Sequence, residues 1–257
     1  MLTPEKIQSN YAELFEIIET HISSPRKEKL IELYSSFEEI LVLAPASSKA
    51  SFHNSFAGGY VDHIIRVVNA GLLVSETWSK VGCPTTYTTE ELVFACLNHD
   101  LGKLGMDGKP RYIPNDSEWH VKNQGANYKP NAELPFLPVP DNSLYLLQQH
   151  GIEVTVNEYI TIKIHDGLYD EGNKPFYLSS MNESKLRTDL PHVVHQADMI
   201  ASRFEWEREW LDKINNPQAK SAIKPKTQVP FKAAQDMKRL KAVGNNNAAL
   251  LDVLKNL

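Results

Sequence analysis

Apolar residues recur at helical spacing through most of the chain. Ile7, Tyr11, Leu14, Phe15, Ile18 and Ile22 form one stripe after Thr3-Pro4-Glu5. That triplet supplies a capping hydroxyl, a proline at the first helical position and an acid in the first turn. Ser24-Pro25 repeats the start signal, and Leu30, Leu33, Tyr34, Phe37, Ile40 and Leu41 mark a second amphipathic helix. Together they predict a helical hairpin over residues 1–46, packed on the main body through its apolar stripes. Gly58-Gly59 allows a tight turn or a close backbone approach, and Val61, Ile64, Ile65, Val68 and Leu72 then continue as a helix. Thr88 with Glu91 and Thr155 with Glu158 are capping boxes. The first opens a helix from about Thr89 to Leu101; the second opens one holding Ile160, Ile162 and Ile164. Ser143-Leu-Tyr-Leu-Leu-Gln-Gln starts a helix between them, and Asp189-Leu-Pro191 caps a last long one.

Two stretches break the pattern. Residues 105–140 hold Asp107-Gly108, Pro110, Pro114, Gly125, Pro130, Pro135, Pro138 and Pro140, which exclude a long helix. Trp119-His-Val and Ala126-Asn-Tyr predict a short hairpin around Asn123-Gln-Gly125. A long ordered loop beside a site is often a substrate cover. After Asn215, prolines among Lys, Ser and Gln read as a linker, and residues 214–257 form a tail that docks, self-associates or stays mobile. No internal repeat and no strand-rich region occurs. The expected fold class is all-α, with a body over 47–213.

Composition narrows the class. The 257 residues are 42% hydrophobic and 23% charged, as in soluble globular proteins. A net charge of −5 argues against a protein that wraps nucleic acid. Two cysteines, Cys83 and Cys96, are too few for a disulfide framework or zinc knuckle. No apolar run approaches the ~20 residues that span a bilayer, and the N-terminus lacks a secretory pattern. A cytoplasmic protein without a membrane role is expected.

The chemistry gathers at helix ends. The apolar run Leu92-Val-Phe-Ala-Cys-Leu-Asn stops at His99-Asp100, with Lys103 just beyond. Imidazole beside carboxylate suits a divalent manganese, iron, cobalt, nickel or zinc ion. A second apolar helix runs into His165-Asp166-Gly167. His63 lies in the first turns of the helix after Gly58-Gly59. Val194, Ala197, Asp198 and Ala201 share one face of the last helix, so Asp198 is a carboxylate on a buried side. Burying it unpaired costs several kcal/mol, so it needs a cation or strong donors. The aromatic-rich continuation through Phe204, Trp206 and Trp210 reads as packed, solvated helix.

The order His63 … His99-Asp100 … His165 … Asp198 resembles that of the HD-domain superfamily of metal-dependent phosphohydrolases, over roughly Ser51 to Trp210. The pieces carrying the resemblance are His53-Asn-Ser-Phe-Ala-Gly-Gly-Tyr-Val-Asp-His63, Leu97-Asn-His-Asp-Leu-Gly-Lys103, Ile162-Lys-Ile-His-Asp-Gly167 and Val194-His-Gln-Ala-Asp198. It implies an HD-type helical bundle in which His63, His99, Asp100 and Asp198 hold one divalent ion (Mn, Fe, Co, Ni, Zn or Mg). Two imidazoles and two carboxylates leave two octahedral positions open. The implied reaction is cleavage of a phosphate ester by metal-bound hydroxide. Asp100, Lys103 and His165 then carry the chemistry. Lys103 neutralises phosphate charge; His165 is a second-metal ligand, a general acid or a phosphate contact. His53 corresponds to a family His that frames the pocket.

The resemblance is imperfect. Family members with two metals usually carry another His before a segment like Ser143-Leu-Tyr-Leu-Leu, where this chain has Pro138-Val139-Pro140. His150 is nearby but displaced by about three turns at ~3.6 residues each. One metal is therefore expected, with His150 structural; if His150 reaches the site, His150 and His165 are the second-metal candidates. The expected substrate is a nucleotide or other small phosphorylated compound, with Tyr112, Trp119, Lys122 and Tyr128 as candidate contacts. The alternatives are a phosphodiesterase or 3′-end nuclease, for which nucleic acid is a partner only as substrate, a di-iron oxygenase of the same fold, and a non-catalytic binding domain.

Overall fold

The computed structural model describes residues 2–215, with side chains as far as Arg208. The tail beyond, with the docking, self-association or mobility that the sequence leaves open for it, lies outside the described residues. The fold is all-α apart from one two-stranded ribbon. Helix α1 (Pro4–His21) is capped by Thr3, whose hydroxyl accepts from the Lys6 amide. Helix α2 (Arg26–Ser36) does not start as expected: Ser24 donates to the Glu28 carboxylate, 2.6 Å away, and Pro25 holds the cap position. The helix expected to run to Leu41 is interrupted at Phe37, and α3 (Glu38–Leu41) follows. Just before the break, the Ser36 hydroxyl donates to the Leu33 carbonyl at 2.7 Å, competing with the helical ladder.

Both glycines before α4 (Gly59–Lys80) are required. Gly58 caps it at φ +78, a left-handed conformation, and a Cβ on Gly59 would lie 2.2 Å from the Asn54 carbonyl oxygen. Helix α5 (Thr89–Asn98) has its full capping box but ends short of Leu101. A 3-10 turn, Leu101–Leu104, replaces its last turn. Gly102 is needed there for contact: its Cβ would sit 2.3 Å from the Val139 carbonyl oxygen. Its amide donates to Ser143 at 2.8 Å, and its carbonyl accepts from Asn142 at 2.9 Å.

The expected hairpin inside 105–140 is corrected. Tyr112–Pro114 (β1) pairs antiparallel with Tyr128–Pro130 (β2), with Tyr112 opposite Pro130 and Ile113 opposite Lys129. Between them Trp119-His-Val lies in a helix, α6 (Glu118–Gln124), because Ser117 caps it and Gly125 at φ +61 closes it. Helix α7 (Val139–Gln149) starts four residues before Ser143, with proline in its first turn. Helix α8 (Val156–Ile164) carries the second capping box. After α9 (Lys174–Tyr177) comes the long α10 (Leu190–Asn215).

Helix α4 packs against α10, α5 and α1, and α8 closes on α5 and α10. The resulting core is continuous: Leu14, Ile18, Leu30 and Tyr34 share it with Tyr60, Phe94, Leu97 and Ala197. Burying a residue such as Phe94, fully inaccessible here, contributes about 1.5–3 kcal/mol. This packing turns the C-terminal ends of α5 and α8 and one face of α4 and α10 toward one point. Among the described residues no helix is long and apolar enough to cross a membrane.

Candidate metal centre

The His99-Asp100 doublet sits where α5 gives way to its 3-10 turn, and His165 holds the equivalent end of α8. Each histidine bends back on its own helix. Nδ1 of His99 donates to the Cys96 carbonyl at 2.8 Å, and Nδ1 of His165 donates to the Ile162 carbonyl at 2.9 Å. Carbonyls only accept, so both rings carry their proton on Nδ1 and present the Nε2 lone pair inward. His63, from the first turn and a half of α4, has Nδ1 3.2 and 3.3 Å from the two Glu205 oxygens. It too turns Nε2 to the centre.

The carboxylates complete the convergence. Nε2 of His63 lies 3.2 Å from Oδ1 of Asp198 and 3.7 Å from Oδ2 of Asp100. Nε2 of His99 lies 3.4 Å from the same Asp100 oxygen, and Nε2 of His165 is 3.7 Å from its Oδ1. These contacts miss hydrogen-bond alignment for His63 and His99, whose Nε2 atoms are buried without a hydrogen-bond partner. Three groups result: His63 with His99 and Asp198, His99 with Asp100 and His165, and, on the outer side of His63, His53 with His63 and Glu205; within each, the ligand atoms lie within 4.8 Å of one another.

The charges favour a cation. Burial pushes the Asp100 carboxyl up, but Lys103 and His99 outweigh it and hold the group well below its ordinary range. Asp198 is likewise held low against burial, by His63 and His99. His63 is pushed up to about 10: burial lowers it, and Glu205 and Asp198 more than reverse that. Without an ion, a proton on His63 and the Lys103 ammonium, 2.5 Å from Asp100 Oδ2, compensate the carboxylates.

The donor set fits a borderline divalent ion. Two buried Nε2 atoms lack a partner, two ionised carboxylates adjoin them, and the opposite face of each imidazole is anchored. Metal binding at such a site releases protons, here the one on His63.

The other sequence candidates fall in four places. His53 is brought to the centre's outer side: its ring centroid is 4.5 Å from that of His63, and its Nδ1 is 2.9 Å from Glu205. Tyr112 is near enough to act on the Lys103 charge, while Tyr128 is pushed up to about 12 by burial in the ribbon. Trp119 and Lys122 are exposed on α6 and stand in none of the convergent groups. His150 caps the end of α7, where its Nδ1 donates to the Leu146 carbonyl at 3.0 Å, and it too is outside those groups.

Glu205 is not singled out by the sequence pattern, in which its surroundings read as solvated helix. Its side chain is fully buried. It accepts from His53, His63 and Arg66, the last at 3.1 Å. Burial pushes its carboxyl up, but His63 and His53 bring it down to about 2. The signal was present: the Val194, Ala197, Asp198, Ala201 stripe continues to position 205, seven residues or about two turns beyond Asp198. Gly167 also has a fixed reason. At φ +58 it leaves room for His195, whose ring a Cβ would meet at 2.5 Å and whose Nδ1 donates to the His165 carbonyl at 2.8 Å.

Compared with models of protein families, with curated proteins and with solved structures, the chain matches none of them.

Proposed function

We propose that this protein is a metal-dependent phosphohydrolase of the HD type, acting on a nucleotide or another small phosphorylated compound. The observation that supports it is the convergence of buried, unpartnered Nε2 atoms of His63 and His99 on Asp100 and Asp198. These four residues would hold a divalent ion. When bound, the ion supplies a nucleophilic water at neutral pH and polarises a phosphoryl oxygen.

The chain's own groups do the rest. Lys103 is buried against Asp100; with an ion on that carboxylate it would be freed from part of the pairing, and its ammonium would neutralise phosphate charge. His165 has its Nδ1 proton committed to Ile162, so its Nε2 either accepts a proton from the attacking water or ligates. Tyr112, in the ribbon and near enough to act on the Lys103 charge, is the substrate contact favoured within the 105–140 excursion.

A second reading rests on the group of His99, Asp100 and His165. It would accept a second ion through Asp100, and with it the phosphodiesterase or di-iron oxygenase chemistries. Phosphate release from nucleoside monophosphates, generic monoesters and diesters, and single-stranded oligonucleotides, by the full chain saturated in turn with Mn, Co and Zn, tests the proposal. Monoester hydrolysis lost in Asp100→Ala supports it. No hydrolysis of any phosphate ester overturns it.

A further inference from the structure

Glu205 lies outside the four residues that would hold the ion, and no part of the proposed reaction uses it. Its carboxylate is fully buried, yet three groups, two from α4 and one from the loop before it, are spent on it. His63 Nδ1 approaches both oxygens at 3.2 and 3.3 Å, His53 Nδ1 approaches Oε2 at 2.9 Å, and Arg66 Nε approaches Oε1 at 3.1 Å. Arg66 is itself tied to Asp62 at 3.1 Å, and Asp62 accepts from Asn54 at 2.9 Å. The carboxylate is thus held from behind and has one face for His63.

His99 and His165 obtain the same service from backbone carbonyls of their own helices. His63 does not: it stands near the start of α4, and its Nδ1 is aimed across to α10. A carboxylate cannot donate, so the proton between Glu205 and His63 belongs to Nδ1; when the second ring proton is given up to an ion, the lone pair is on Nε2, facing Asp198 and Asp100. A carboxylate behind a ligating imidazole fixes its tautomer and raises its basicity.

Resting on the metal-centre reading above, we infer that Glu205 is a positioning residue that orients His63 and holds it in the tautomer able to ligate a cation, with His53 and Arg66 holding Glu205 in turn. An amide in its place can present its NH2 to Nδ1. That would move the ring proton to Nε2 and remove the lone pair from the centre.

The test uses the full chain and Co2+ as probe, with affinity read by chelator competition and geometry by the visible spectrum of the bound ion. Glu205→Gln is compared with Glu158→Gln, which alters another buried carboxylate, one paired with Arg26 at 2.8 Å and away from the centre. The expected result is Co2+ affinity about 10–100-fold weaker in Glu205→Gln, with an altered spectrum, and unchanged affinity in Glu158→Gln. Binding by Glu205→Gln within twofold of the parent overturns the role of Glu205 while leaving the metal centre standing. A parent chain that binds no Co2+ overturns the centre and this inference together. If Glu205→Gln does not fold, the imidazole 15N signals of the Zn2+-loaded parent decide. A proton on Nδ1 of His63 supports the assignment, and a proton on Nε2 refutes it.

Discussion

The ammonium of Lys103 lies 2.5 Å from Oδ2 of Asp100, the oxygen that also faces His63 and His99. One carboxylate oxygen therefore serves a lysine and the candidate cation position. Lys103 stabilises the site in the absence of an ion and competes with the ion for it. Lys103→Met removes the charge and keeps most of the volume. Metal-free stability should fall by roughly 3 kcal/mol, because a buried carboxylate loses its partner. Affinity for Mn2+ or Co2+ should rise on the order of tenfold, since a nearby positive charge is gone. Denaturant melts and metal titrations measure the two effects. A variant that binds the ion more weakly would show that Lys103 supports the bound ion rather than opposing it.

Gly102 gives a steric prediction. A methyl group there would meet the Val139 carbonyl oxygen at 2.3 Å and the Asn142 Cβ at 2.9 Å. Both belong to the start of α7, which cannot retreat without giving up the hydrogen bonds from Gly102 to Ser143 and from Asn142 to Gly102. Gly102→Ala should cost about 1–3 kcal/mol, the range for overpacking. Because Asp100 is two residues away, the affinity for a divalent ion should fall with it. Unchanged stability by urea denaturation would show that α7 is not held there.

Glu91 supplies a pH dependence remote from the metal centre. Burial pushes its carboxyl up, but the Thr88 amide and the Thr155, Asn157 and Thr88 side chains lower it by more. A carboxyl lowered on folding stabilises the native state above its unfolded value of about 4.3, and loses that contribution as pH falls through the folded value. Glu91 closes the α5 capping box and accepts from Thr155 and Asn157 at the start of α8. Glu91→Gln removes the charge from hydrogen bonds accepted from Thr88, Thr155 and Asn157 and should be about 1 kcal/mol less stable than the parent at neutral pH. The difference should shrink below about pH 4. A gap that stays constant across that range would mean that the negative charge contributes nothing.

These elements differ in how plainly the sequence displayed them. The capping boxes of α5 and α8, the Gly58-Gly59 start of α4 and the helix-end positions of His99 and His165 depend on local chemistry, and the residues declare it. The 105–140 excursion does not. Tyr112–Pro114 and Tyr128–Pro130 are short, each ends in proline, and they are paired only because Ser117 and Gly125 fold a helix between them. Glu205 is a tertiary fact. Its neighbours Phe204, exposed, and Arg203, paired with Glu207, look like solvated helix. The stripe of α10 puts position 205 on its inward face, and only the packing of α10 on α4 sets it against His63. Gly102 illustrates the same limit: nothing local marks it as a contact point for α7.

The central claim is that His63, His99, Asp100 and Asp198 form a cation site. Metal content per chain, measured after incubation with Mn2+, Co2+ or Zn2+ and gel filtration, tests it most directly, with Asp100→Ala and His150→Ala alongside. In the parent the His150 ring is held on the Leu146 carbonyl, so the account predicts an ion bound by the parent and by His150→Ala, and lost from Asp100→Ala. A parent chain that retains no ion, or an Asp100→Ala variant that retains as much as the parent, would contradict it.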